Sequence, residues 1–319
     1  MKYIQHINEL IVKKTAATKE LVLFGQNIAA GSFISGLTKN LKVGEGGLII
    51  NTPNVENTLT GLGFGMMLGG VSSIFFMKQQ DFLLLGIDQL VDTYNFIRIK
   101  KPEASFTIVF SISDQGYQGL QSSLNNFGDF CSIARIPGFT ITNKADAEDV
   151  INTHLVSPGF RIIGVSQRLF GQELLDVPKI YAHEDKTLFQ YQEGTSATIV
   201  CFNLSFPYGL ELLSKLKGKD INASLFSVNA VTPIDWDKII LDVKKTKNLV
   251  IIDDSKSANL SCDNLLVSVL EQCKLNNKIL VKREFAKDAW LYPNSDLLQI
   301  DYEGIINTLA PVLFKNTKQ

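Results

Sequence analysis

Short apolar runs of strand type, each followed by a helical stretch, recur along almost the whole of this 319-residue chain. In the first half they are LVLFG, GGLIINT, SSIFFM, SFTIVFSIS and GFRIIGV, with helical stretches at 56–68, 82–98 and 145–155 between them. Near-continuous apolar strands alternating with helices are what a parallel sheet needs when both its faces are covered. From Thr195 the pattern resumes with SATIVCFN, NASLFSVN, KNLVIIDDS and NKILVKRE, separated by PYGLELLSKLKG, DWDKIILDVKKT and NLLVSVLEQCKL. The expected fold class is therefore α/β, two three-layer α/β/α domains in series. The expected domains are 1–185 and 195–319, with the charged, aperiodic stretch 186–194 as a linker.

Composition narrows the function classes. Lys plus Arg number 31 and Asp plus Glu 32, a net charge of -1, so no basic excess points to nucleic acid. Four cysteines lie scattered without a CxxC pair, which argues against a disulfide framework or zinc ribbon and fits a reducing cytoplasm. The opening MKYIQHINELIVKK has no apolar stretch of signal-peptide length. His6, His154 and His183 cluster neither with each other nor with a cysteine, so no metal site made by this chain alone is expected. GxxxxGK[ST], GxGxxG, HExxH and GxSxG are all absent. The charge-free run from Asn57 to Met77, with Gly61, Gly65 and Gly69 evenly spaced, imitates a membrane span. Gly69-Gly70 breaks it, and VSSIFFM reads as a core strand. No membrane is expected as a partner.

Within NTPNVENTLTGLGFGMMLGG (51–70), Glu56 is the only carboxylate between Glu45 and Asp81. Burying an acid there is costly unless a proton donor or cation meets it. An acid at a helix start is also favoured by the helix dipole alone. On these residues both readings stand.

The same stretch resembles the pyrimidine-domain motif of thiamine diphosphate enzymes: Glu56, four residues, Gly61, apolar Leu62, two residues, Gly65. The preceding TP, the TGL, and FMKQQDFLLLGIDQLVD downstream are similar to the beta subunit of the pyruvate dehydrogenase first component. The likeness continues through PGFTITNKADAEDV, VTPID and KTKNLVIID, covering nearly the whole chain. It implies a beta-like subunit of a thiamine diphosphate enzyme acting on a 2-oxo acid. Glu56 would then hydrogen-bond the aminopyrimidine ring nitrogen, Phe82 would stack on the ring, and Gly61 and Gly65 would belong to the cofactor-binding motif.

Two departures qualify that implication. The family's histidine after IVF falls here on Leu124, or on Asn125 with a gap, and neither transfers a proton at neutral pH. Gln121 and Asn125, with Gln118, Ser122 and Ser123 nearby, are the expected hydrogen-bonding groups for substrate instead. No GDG occurs in the chain, so the resemblance implies an alpha-like partner carrying the diphosphate-binding half and most of the Mg²⁺ ligands. Self-association as a dimer or heterotetramer is implied with it. The ARIPG step and Arg168 in GVSQRLFG are also similar to transketolases, where an arginine binds phosphate. Half of a split transketolase is therefore the alternative, and a non-catalytic stabilising subunit a third.

Overall fold

The structure, a computed structural model, describes residues 1–116, 119, 122–230, 234–284 and 298–315. Its first half opens with α1 (Tyr3–Ala16), whose Tyr3, Ile7 and Ile11 recur at helical spacing and are buried. There follow β1 (Val22–Gly25), β2 (Leu48–Asn51), α2 (Glu56–Leu68), β3 (Ser73–Gln79), α3 (Tyr94–Ile97) and β4 (Ser105–Ile112). After them come α4 (Phe127–Ala134), β5 (Gly138–Ile141), α5 (Lys144–His154) and β6 (Gly159–Ser166). The six strands form one sheet, in the order β2-β1-β3-β4-β6-β5, and every pairing is parallel.

The charge-free run from Asn57 thus becomes a helix, a turn at Gly69-Gly70 and a strand. Among the described residues no helix is long and apolar enough to cross a membrane. What holds α2 to the sheet is aromatic. Phe64 is fully buried and meets Phe106 edge-on, ring centroids 5.0 Å apart, with Phe160 and Tyr94 closing the cluster. Burying one such ring is worth about 2–3 kcal/mol. Gly63 makes the approach possible, since a Cβ there would lie 2.2 Å from the Phe106 ring. The evenly spaced Gly61, Gly65 and Gly69 lie away from this contact. Gly61 lies against the Gln89 side chain and Gly65 has open space, so this side of α2 faces outward rather than the sheet.

The second half contains β7 (Tyr181–Ala182), β8 (Leu188–Gln192), β9 (Ala197–Phe202), α6 (Phe206–Lys217), β10 (Ala223–Val228) and α7 (Asp237–Thr246). It ends with β11 (Asn248–Asp253), α8 (Asp263–Gln272), β12 (Asn277–Val281) and α9 (Tyr302–Lys315). Its sheet runs β12-β11-β9-β10-β8-β7, parallel except where β8 pairs antiparallel with β10 and β7 with β8. The stretch 186–194, expected as a linker, holds β8. Leu188, Phe189 and Tyr191 are buried there, and charged neighbours such as Glu193 mask the strand in the sequence. Each sheet has apolar clusters of its own, and the chain is two α/β/α layers in series.

Candidate active site

In the first sheet, β1 is flanked by β2 on one side and β3 on the other. The chain leaves β1 towards β2, and α2 then carries it back across to β3. Such a reversal opens a crevice at the carboxyl ends of the strands, the usual binding place in open α/β sheets. A cleft lies at that point. Gln26, next after β1, lines one side, and Phe75 to Lys78 of β3 line the other. Pro53, Asn54 and Glu56 close it from the β2–α2 connection, and Phe82 completes the wall.

Two backbone features shape the crevice. Gly25 ends β1 at φ +148°, where a Cβ would sit 2.2 Å from the Phe76 carbonyl oxygen, so only glycine lets the two strands close there. On the other side the β3–β4 register shifts between Met77 and Gln79, a bulge that turns the exposed Lys78 onto the lip. Ser111 donates to the Lys78 carbonyl at 2.6 Å and fixes the bulge.

Glu56 and Phe82, two of the residues singled out in the sequence, share this cleft. Glu56 is the first residue of α2 and only 8% exposed. Its carbonyl accepts from the Thr60 hydroxyl at 2.7 Å, but among the described residues its carboxylate has neither hydrogen bond nor ion pair. Its oxygens are not sealed from solvent, so a ligand donor in the cleft can reach them. Phe82 is half-buried, packed on the first core cluster with part of its surface towards the cleft. The free space inside the cleft is only about 10 Å³, room for about one water, so its walls rather than its volume mark the place. The pyrimidine end of thiamine diphosphate fits this donor set: one open carboxylate and one aromatic wall. Among the described residues no group of three or more His, Cys, Asp or Glu could hold a metal ion.

The other expected residues lie elsewhere. Gly61 and Gly65 are further along α2 and do not line the cleft. Gln121 and Gln118 lie outside the described residues. Leu124 is packed against the first core cluster. Asn125 is fully buried between the two sheets, its amide donating to the Asp254 carbonyl at 2.8 Å and accepting from Asn203 at 2.6 Å. Arg168 also belongs to that junction. Its Nε stands 3.4 Å from the Asp114 carboxylate, its Nη2 donates to the Leu204 carbonyl at 3.1 Å, and its guanidinium lies 4.6 Å from the Tyr208 ring centre. Both side chains are held by the protein itself.

Sequence reading missed this junction. Asp254 is 1% exposed, accepts from Asn203 Nδ2 and from the Leu204 amide, and its carboxyl is pushed up to about 6. Burial is the main cause, the Asp114 charge adds to it, and Arg168 and Arg283 oppose it. The doubled acid in VIIDDSK is the only signal that could have marked it.

The fold, two parallel-rich sheets with a switch-point cleft in the first, is similar to that of transketolase-like structures. The chain aligns with a structure titled "Split gene transketolase, inactive beta4 tetramer" at TM-score 0.67 and 12% identity, over 97% of both chains. Curated proteins it is similar to include beta subunits of pyruvate dehydrogenase, of 2-oxoisovalerate dehydrogenase and of an acetoin oxidoreductase. It is 22% identical over 279 residues to the pyruvate dehydrogenase E1 component subunit beta of Rhizobium meliloti, covering 83% of this chain and 59% of that protein. It is 21% identical over 308 residues to the 2-oxoisovalerate dehydrogenase subunit beta of Bacillus subtilis, covering 94% of this chain and 93% of that one. The match to the Rickettsia felis pyruvate dehydrogenase beta subunit spans 64% of that protein, so the chain covers less than two thirds of the first relatives it matches. No protein-family profile matches the chain.

Proposed function

We propose that this chain is the pyrimidine-binding, beta-like subunit of a thiamine diphosphate-dependent enzyme that breaks or forms a bond beside the carbonyl of a 2-oxo acid. The observation that carries this reading is the open, buried carboxylate of Glu56 in one cleft with Phe82, at the switch point of the first sheet. When bound, thiamine diphosphate supplies the carbanion-stabilising chemistry. The residues here do three things for it. Glu56 holds and returns a proton at the pyrimidine ring nitrogen, as a positioned general acid–base. Phe82 packs on the ring face. Leu59, Phe75 and Met77 keep water from the pair.

The diphosphate end is left to a cytoplasmic partner chain of alpha-subunit type, with cofactor and 2-oxo acid bound where the two chains meet. Alone, this chain self-associates and binds the cofactor weakly. The test is calorimetry of thiamine diphosphate with Mg²⁺ against the isolated chain and against the chain with its partner. Low micromolar binding by a partner-free monomer would sink the reading. Separate turnover assays with 2-oxo acids and with ketose phosphates distinguish it from half of a split transketolase. With Leu124 apolar and Asn125 committed to the junction, lipoamide reduction from pyruvate should be weak.

A further inference from the structure

Residues 122–126 run between β4 and α4, and the protein grips them from both sides. On the first side stand three consecutive buried side chains that end β3 and enter the next turn. The Gln79 carbonyl oxygen Oε1 accepts from the Ser122 hydroxyl at 2.6 Å, and Gln80 Oε1 accepts from the Asn126 amide at 3.1 Å. Asp81 Oδ1 accepts from the amides of Ser123 and Leu124, at 2.9 and 3.2 Å. On the other side is the segment after β11, from the second sheet. The Lys256 amide donates to the Asn125 carbonyl at 2.7 Å, and its Nζ donates to the Ser123 carbonyl at 2.6 Å. The side-chain Nδ2 of Asn126 donates to Ser257 Oγ at 3.3 Å.

Lys256 is only 4% exposed. Burying an ammonium costs several kcal/mol unless hydrogen bonds compensate, and the bond to the Ser123 carbonyl is one that does so here. The next residue after Asp81 is Phe82, the aromatic wall of the Glu56 cleft.

We propose that Asp81 and Lys256 are positioning residues, the two jaws of a clamp that fixes the Phe82 ring through the 122–126 strip. The second domain then sets the width of a cleft it does not line. The ligand arm of this proposal rests on the reading of the cleft as a pyrimidine site; the clamp itself does not. A contact that only glues the domains together would change stability and leave the Phe82 ring as it was.

The experiment uses the full chain with 4-fluorophenylalanine at position 82, read by fluorine NMR. Hydrogen exchange of the peptide covering 122–126 is followed alongside. Lys256→Met and Asp81→Leu should speed that exchange at least tenfold and shift or broaden the fluorine signal. Asp81→Asn keeps an acceptor at Oδ1 and should restore both. Thiamine diphosphate affinity should fall about tenfold in the two disruptive variants only. A variant whose peptide exchanges faster while the fluorine signal stays put overturns the proposal, as does exchange that does not quicken. If the fluorine signal behaves as expected but wild type binds no cofactor even with its partner, the pyrimidine reading falls and the clamp stands.

Discussion

Two places in this molecule bury carboxylates, and they treat them in opposite ways. At the switch-point cleft Glu56 is 8% exposed with no partner for its carboxylate among the described residues. At the junction of the two sheets Asp114 and Asp254 are each 1% exposed. Asp114 accepts from the Arg168 amide and the Ser166 hydroxyl with the Arg168 guanidinium beside it, and Asp254 accepts through one oxygen from Asn203 and the Leu204 amide. A group whose hydrogen bonds are made within the chain contributes to folding; one left open contributes only when something binds. Burial alone does not mark a functional acid. What sets Glu56 apart is that its carboxylate opens into a cleft.

The largest expected effect sharpens the junction side. Arg168→Met leaves the Asp114 carboxylate buried without its cation, and loss of one member of a buried pair costs about 3–5 kcal/mol. Urea unfolding measures it. A change below about 1 kcal/mol, with catalysis lost instead, would return Arg168 to a substrate role and erase the contrast.

Next comes pH. Because the folded Asp254 carboxyl titrates near 6 and the unfolded one near 4, the folded state keeps this proton through a window where the unfolded chain has released it. That contribution to stability is full below pH 4, declines as pH rises to 6, and is gone above, a change on the order of 3 kcal/mol. Asp146, Asp242 and Asp253 are also pushed up by burial, so the comparison must be wild type against Asp254→Asn. The asparagine variant should lack this part of the slope. Parallel stability–pH curves for the two proteins would refute the assignment.

On the cleft side, Phe82→Ala should weaken cofactor binding by the partnered enzyme by about 1–3 kcal/mol, the range for losing one aromatic face under a base. Unchanged affinity would make Phe82 a core residue only. The smallest effect on folding belongs to Glu56→Gln. With no carboxylate partner to lose, unfolding should move by less than about 0.5 kcal/mol. Yet C2-proton exchange of bound thiamine diphosphate should drop at least about 100-fold, the lower range for a lost acid–base group. A substantial destabilisation would mean Glu56 has a structural partner after all.

The contrast also explains what could be read from the sequence. Strand runs such as SFTIVFSIS and helices such as 56–68 carry their periodicity locally, so both layers were legible. Glu56 stood out because twenty-one uncharged residues follow it, and Phe82 only through the resemblance to the beta subunits, in which an aromatic stands at that place. By contrast β8 hides among charges that only the antiparallel pairing with β10 explains. The glycine that matters on α2 is Gly63, not the regular series, since the ring it clears, Phe106, comes from a strand 43 positions away. Asn125 and Arg168 looked like polar groups free for substrate. Their partners, Asn203, Leu204, Asp114 and Asp254, include residues from the other sheet, which no local pattern reveals.

The grip on residues 122–126 has a consequence in time. The last strand of the first sheet ends at Ser166, whereas the outer jaw, Lys256, is 90 residues further on. At ribosomal speeds of about 5–20 residues per second, that separation is on the order of ten seconds. During each round of synthesis the first sheet can pair, and Glu56 and Phe82 can meet, while the strip between β4 and α4 is held on one side only. The nascent chain passes through an interval in which its cleft exists but its width is unset, and the arrival of a short segment from the second sheet ends that interval.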